Sequence, residues 1–341
     1  MKNSIYKNNK RKVSLLLFLL ILINFKITAQ TKQNSKPEIF HIQNYFSEAY
    51  LIKGNSEKLL LIETGVPVPG YQDSLVNSIK KLGFKPENIT LAIVTHGHGD
   101  HAGNARFLQQ TFKIKIAGSK ADLNKFTSGK TELSKSEDVS IWGNRLRPYS
   151  DLSYQPFTPD IIVENANIDL EKYGVSGKII PIKGGHTPGD LLILIGDNLF
   201  VGDAFVGTFK SQGGGLVPDG HHVREHFFHE NKKLADENLK LIEKIAIENK
   251  VKTIYPTHNG PVSTYELTKY IKEEPLLKLF SKQEANPAAE DFRIVFSNEN
   301  TAVLTFLETN KAEGKDAKTI SVTETYSKEK GIWKVVYKDV K

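Results

Sequence analysis

The chain has 341 residues, 39% hydrophobic and 25% charged, a balance ordinary for a folded globular protein that excludes a disordered or fibrous one. Its formal charge of +7 invites a nucleic-acid reading, yet Lys2, Lys7, Lys10, Arg11, Lys12 and Lys26 all precede Gln30 with no acidic residue among them, which leaves +1 for the rest. A basic nucleic-acid surface is therefore not expected, and the absence of cysteine excludes structural disulfides and a lipid anchor on cysteine.

The N-terminal stretch has a Lys/Arg-rich start ending NNKRK, an apolar run VSLLLFLLILINF over residues 13–25, then KITAQ. That three-part pattern is the one of a secretory signal peptide, and the apolar run falls short of the ~20 residues needed to span a bilayer. We expect residues 1–29 to be a signal peptide cleaved near Ala29/Gln30, no permanent membrane anchor, and a periplasmic or extracellular mature protein.

Farther along, EIFHIQ, AYLIKG and KLLLIET are β-rich runs separated by NYFSE and NSE, which reads as an antiparallel start. YQDSLVNSIKKLGF carries Leu75, Ile79 and Leu82 at helical spacing before Gly83, and NITLAIVT is again a strand, so an α/β alternation follows. NARFLQQTF reads as a helix, and DIIVEN, GKIIPI, DLLILIG and NLFVGD as strands. A long amphipathic helix near 225–249 leads to a strand at VKTIYP. The tail alternates in DFRIVFS, TAVLTFLE, TISVTETYS and GIWKVVYKD, an antiparallel meander of about four strands. The expected organisation is a main domain over 30–265, a helical linker over 266–284 and a small β-rich extension over 285–341. About fifty residues is marginal for an independent core, so the extension packs on the main domain or completes itself in a dimer.

The chemistry concentrates in THGHGDHAG, residues 95–103, directly after the apolar run ITLAIV. Residues two apart in an extended chain point the same way, so His96 and His98 can face one metal, while Gly97 and Gly99 relax the backbone where the strand ends. Asp100 and His101 fall at the start of the next helix and can turn towards a second position. Imidazole nitrogen and carboxylate oxygen suit a borderline divalent ion such as zinc. Further candidates follow the same local grammar, a strand ending in a polar turn beside Gly or Pro: His186 in IIPIKGGHTPGD, Asp203 in NLFVGDAF and His258 in KTIYPTHNG. Such strand ends can converge on one edge of a sheet, where α/β proteins build sites.

On these residues the sequence resembles the metallo-β-lactamase superfamily over roughly residues 37–265, with the HxHxDH signature at His96, His98, Asp100 and His101 and the later motifs in family order. The resemblance implies an α/β (α+β) fold, an αββα sandwich of two face-to-face sheets with helices outside. It implies two divalent ions, zinc first with iron or manganese as alternatives. His96, His98 and His186 would hold one ion and Asp100, His101 and His258 the other, bridged by Asp203. The family's first motif usually carries Asp where this chain has Glu63, and the family's cysteine-ligand β-lactamases are excluded here. Asp203 favours a glyoxalase II-like or lactonase-like site over the all-His/Asp β-lactamase type.

The implied activity is that of an exported hydrolase whose metal-bridging hydroxide attacks the carbonyl of an ester, lactone, thioester or amide, β-lactams included. Asp100 would orient the water or pass a proton to the leaving group. The alternatives are an iron-dependent oxidoreductase of the same fold, similar to persulfide dioxygenases, and a β-lactamase of the all-His/Asp type. The expected partner is a small acyl substrate. Tyr149, Tyr154, Phe157 and Phe205 are candidate aromatic contacts to it, with loop packing as their other reading. The four histidines of GHHVREHFFHE, namely His221, His222, His226 and His229, read as the solvent or rim face of a helix start, with His221 or His222 within reach of substrate.

Overall fold

A computed structural model of the chain describes residues 36–55, 57–136, 147, 150–207, 222–226, 228–272, 289–298, 300–310, 318–329 and 332–341. The signal-peptide reading, Tyr149 and His221 lie outside these residues. Among the described residues no helix is long and apolar enough to cross a membrane.

Two six-stranded mixed sheets form the body. The first joins β1 (Glu38–Asn44), β2 (Ser47–Lys53), β3 (Leu59–Ile62), β4 (Ile89–Ile93), β5 (Ile116–Ser119) and β6 (Ile161–Val163) in sequence order, antiparallel up to β3 and parallel from there. The second runs β14 (Val262–Ser263), β13 (Thr253–Pro256), β10 (Asn198–Gly202), β9 (Leu191–Ile195), β8 (Lys178–Pro181) and β7 (Ile168–Asp169). Its one parallel pair is β10 with β13, which puts two chain-separated strand ends side by side.

The period of two along a strand sorts the apolar residues into layers. Leu60 and Ile62 of β3 and Leu91 and Ile93 of β4 meet Leu191, Ile193 and Phe200 of the second sheet. Leu59 and Leu61 turn the other way, onto Leu75 and Ile79 of α1 (Tyr71–Lys81), Leu108 of α3 (Ala105–Phe112) and Phe126 of α4 (Leu123–Ser128). On the far side Leu192, Leu194, Leu199 and Ile254 pack on Leu239, Ile242 and Ala246 of α5 (Lys232–Glu248). This is the αββα sandwich. Strands such as β3, buried on both faces, read as unbroken apolar runs because neither face meets water.

Three readings shift. Leu82 is exposed at the C-terminal cap of α1, and Val76 completes the buried stripe instead. β5, in the Lys-interrupted stretch KIKIAGS, pairs between β4 and β6. The long helix begins at Lys232, not near 225, because Asn231 leaves helical geometry and its side chain accepts the Leu234 N–H, ending the helix there. C-terminally, β15 (Ala289–Asn298), β16 (Thr301–Asn310), β17 (Lys318–Glu329) and β18 (Ile332–Val340) pair in order as an antiparallel sheet.

Candidate metal centre

Strand ends from both sheets supply the site. Beyond β4 the chain continues extended through Thr95, whose carbonyl accepts the Leu191 N–H and so ties this end to the second sheet. The loop then turns with Gly97 donating to Asp122 Oδ2 (2.6 Å) and Gly99 donating to Thr131 Oγ1 (2.9 Å). α2 (Gly99–Ala102) follows and presents Asp100 and His101. His186 sits between β8 and β9, where its N–H and that of Thr187 donate to the two oxygens of Asp190 (2.9 Å each). Asp203 follows β10 and His258 follows β13, and Thr257 N–H donates to Gly202 O across the parallel pair (3.0 Å). Gly202 is required there, since its φ is +55° and a Cβ would stand 2.6 Å from Thr95 Oγ1.

These elements bring together all seven residues singled out in the sequence motifs. His96, His98, His186 and Asp203 form one group and Asp100, His101, His258 and Asp203 a second; within each, one ligand atom per residue lies within 4.8 Å of the others. Asp203 belongs to both. Its Oδ2 stands 3.9 Å from His96 Nε2, 3.5 Å from His186 Nε2, 3.2 Å from His101 Nε2 and 3.4 Å from His258 Nε2. His98 Nδ1 and His186 Nε2 are 3.0 Å apart, and His258 Nε2 and Asp100 Oδ2 3.2 Å. Two ligands of one tetrahedral zinc, each ~2.05 Å from the ion, stand ~3.3 Å apart. The donors thus have the spacing of coordination shells. His96 Nε2 and Asp203 Oδ1 are buried without a hydrogen-bond partner among the described residues, a cost of ~1–3 kcal/mol each that a bound ion would remove.

Neighbours of the imidazoles fix which nitrogen faces inward. Phe46 O lies 2.9 Å from His258 Nδ1, which must donate to it, so Nε2 is the nitrogen left to coordinate an ion. Thr95 Oγ1 gives its proton to Glu63 Oε1 (2.5 Å) and so accepts from His96 Nδ1 (3.1 Å), with the same result. Glu63 Oε1 is also 3.2 Å from His101 Nδ1. The longer Glu at the family's Asp position thus brings its charge against the His101 ring without hydrogen-bonding to it, from a backbone at φ +66°.

Charges follow the same division. Burial holds His96, His98 and His186 well below the usual imidazole range, the neutral form that coordinates. Burial opposes charge on Asp100 and Asp203 as well, but there the surrounding imidazoles, His101 foremost, outweigh it and keep both carboxyls well below their usual range. His101 and His258 are held well above theirs, because the Asp203 and Asp100 carboxylates overcome the burial penalty. Metal binding at the second group would accordingly release protons.

The candidate substrate contacts are placed differently. Phe205 is fully buried in the layer beneath α5, and Tyr154 and Phe157 pack with Phe126 under the first sheet; the Tyr154 hydroxyl donates to Gly97 O (2.9 Å). All three serve packing, because their rings fill the core beneath the loops. His222, His226 and His229 are buried, not on the rim of a helix start, since α5 begins only at Lys232. His222 Nδ1 lies 2.7 Å from Glu266 Oε1, whereas His226 Nε2 lies 3.1 Å from Asp203 Oδ2.

Asp122 is a further part of the site that the motifs did not reveal. Its Oδ2 accepts both the Gly97 N–H and the Thr187 hydroxyl (2.7 Å), joining the loop of His96 and His98 to that of His186. Burial pushes this carboxyl up to about 6, and Asp190 up to about 7.

Comparison with known proteins follows this geometry. No curated protein sequence matches the chain. Among solved structures, the FEZ-1 metallo-beta-lactamase from Legionella gormanii is similar at 18% identity, covering 74% of this chain and 87% of its own with a TM-score of 0.45. BJP-1, a subclass B3 metallo-beta-lactamase of Bradyrhizobium japonicum, is similar at 19% identity, covering 73% and 93% with a TM-score of 0.48. Residues 43–258 match the family description of the metallo-beta-lactamase superfamily, a span that starts in β1 and ends on the last residue of the second group. The chain belongs to the metallo-beta-lactamase superfamily.

Proposed function

We propose that the protein is an exported, metal-dependent hydrolase of small acyl substrates: esters, lactones, thioesters or amides, β-lactams among them. The observation that carries the reading is Asp203, one carboxylate shared by two groups of buried His and Asp donors at coordination spacing. A pair of divalent ions held there, zinc by the chemistry of the donors, would polarise a carbonyl and make water a nucleophile near neutral pH.

The chain's own residues do the rest. His96, His98 and His186 present neutral nitrogens, Thr95 holds the His96 ring from behind, and the Glu63 carboxylate faces the ring of His101. Among the described residues, the side of the centre open to solvent is that of Asp100 and His258. The Asp100 and His258 side chains keep 10% and 14% of their surface exposed, against 2% or less for those of His96, His101, His186 and Asp203. In this reading substrate and water approach past Asp100, whose carboxylate would orient the water or pass a proton to the leaving group. The N-terminal leader supports export, and the near-neutral charge that follows it supports a small-molecule partner over a nucleic acid.

Metal analysis of the purified mature protein with a panel of lactones, thioesters, aryl esters and β-lactams tests this reading. Two zinc ions per chain and turnover of an acyl substrate are expected. One iron per chain with thiol-dependent oxygen uptake would overturn it.

A further inference from the structure

His226 stands at the centre without belonging to either group of donors. Its Nε2 is 3.1 Å from Asp203 Oδ2, and its ring lies 4.4 Å from that of His186 and 5.9 Å from that of His258, so it touches the shared carboxylate and a ligand from each group. The short hairpin of β11 (Val206–Gly207) and β12 (Val223–Arg224) delivers it. β11 follows Asp203 by three residues, and its pairing brings the chain back over the same carboxylate.

A histidine so placed is naturally taken as an additional ligand, but its hydrogen bonding gives the opposite sense. Phe228 N–H donates to His226 Nδ1 at 3.1 Å, so Nδ1 carries the lone pair and the proton of the neutral ring sits on Nε2. His258 shows the reverse arrangement: its Nδ1 donates to a carbonyl oxygen, so its inward Nε2 is the nitrogen that would coordinate an ion on giving up its proton. Two imidazoles thus approach Asp203 Oδ2 at 3.1 and 3.4 Å, one whose outer nitrogen accepts a hydrogen bond and one whose outer nitrogen donates one. The partner of the outer nitrogen decides which is which.

We propose that His226 is a positioning residue and not a ligand: its Nε2–H donates to the Asp203 carboxylate and holds it in the rotation that shares it between the two groups. The inference rests on the metal-centre reading above. Without the donor, Asp203 is free to swing towards one group, and the ion it serves less well is lost. Outer partners of ligands typically govern metal affinity by about 10–100-fold.

The test is Zn2+ binding by competition against a chromophoric chelator, with the visible spectrum of the Co2+-substituted protein as a second readout. In His226→Phe and His226→Asn, neither able to donate to Asp203, the weaker of two ions is expected to bind about 10–100-fold less tightly at an unchanged unfolding midpoint. His226→Gln, whose amide N–H reaches about as far as Nε2, is expected to restore both ions and the wild-type Co2+ spectrum. Two ions at wild-type affinity in His226→Asn overturn the proposal, and so does a His226→Gln protein that loses an ion and changes its Co2+ spectrum, the signature of a lost ligand. Should His226→Phe fail to fold, the Asn and Gln pair decides alone. A wild-type protein that takes up fewer than two ions overturns the metal-centre reading itself, and the role of His226 with it.

Discussion

Replacing Asp122 by Ala separates the mechanical support of the metal centre from its ligands. One buried carboxylate oxygen accepts the Gly97 N–H at 2.6 Å and the Thr187 hydroxyl at 2.7 Å. Thr187 keeps a second acceptor in Asp190 Oδ1 at 3.0 Å, so the substitution strands one donor, Gly97 N–H, at a cost of ~1–3 kcal/mol. The loss depends on pH in a defined sense. Burial raises the folded-state carboxyl from 3.8 to about 6, so its contribution is fully present below ~4 and is lost as pH rises through ~6. Each pH unit inside that window is worth ~1.4 kcal/mol, and the interval from pH 5 to the folded-state value is about one unit. Urea unfolding of chelator-treated wild type and Asp122→Ala at pH 5 and pH 8 should therefore show a difference larger at pH 5 by about 1.4 kcal/mol. A difference that is flat, or larger at pH 8, refutes the assignment of Asp122 as a buried, proton-retaining clamp between the two histidine loops.

Glu63→Gln keeps the size of the side chain but removes the charge facing His101 Nδ1, and chelator competition should show metal affinity reduced by about 10–100-fold; unchanged affinity would mean that Glu63 gives the ring no support. Gly202→Ala forces a Cβ to 2.6 Å from Thr95 Oγ1 at φ +55°, which should lower unfolding stability by about 2–4 kcal/mol, read from the urea midpoint; a neutral substitution would contradict the close approach of β10 to the β4 strand end. Chelation should abolish hydrolysis and lower the thermal midpoint, with Zn2+ restoring both, since an ion at 100 times its Kd stabilises the fold by ~2.7 kcal/mol. A midpoint indifferent to metal would place the ions elsewhere.

The seven residues of the two groups were legible because each stands at a strand end beside Gly or Pro, so local chemistry and local backbone point the same way. The layers were legible for the same reason: β3 and β9 are apolar without interruption, and only a strand covered on both faces reads so. Asp122 left no such trace. It lies between β5 and α4 in an unremarkable KAD, and its role comes from the approach of Gly97 and Thr187, 25 and 65 positions away. Phe205 and Tyr154 were ambiguous because aromatic rings serve a cleft wall and a core equally well. Only burial separates the two uses, and burial is a property of the whole fold.

His226 and His258 show where residue type stops being informative. Each is a histidine facing the same carboxylate oxygen, and nothing in the residue itself separates donor from ligand. The difference lies on the outer nitrogen, a backbone N–H from Phe228 in one case and a backbone carbonyl from Phe46 in the other, and neither group is specified by a side chain. Backbone geometry thus divides the two roles: at His258 the outer N–H is fixed and the inward nitrogen is the one that can exchange its proton for an ion, and at His226 the inward N–H is kept where the carboxylate must be held. A count of histidines near a metal site overstates its ligands for this reason. In this protein the Asn231 cap, which starts α5 seven residues later than the amphipathic pattern suggests, leaves Phe228 outside the helix, where its N–H donates to His226 Nδ1 and makes the inward nitrogen a donor.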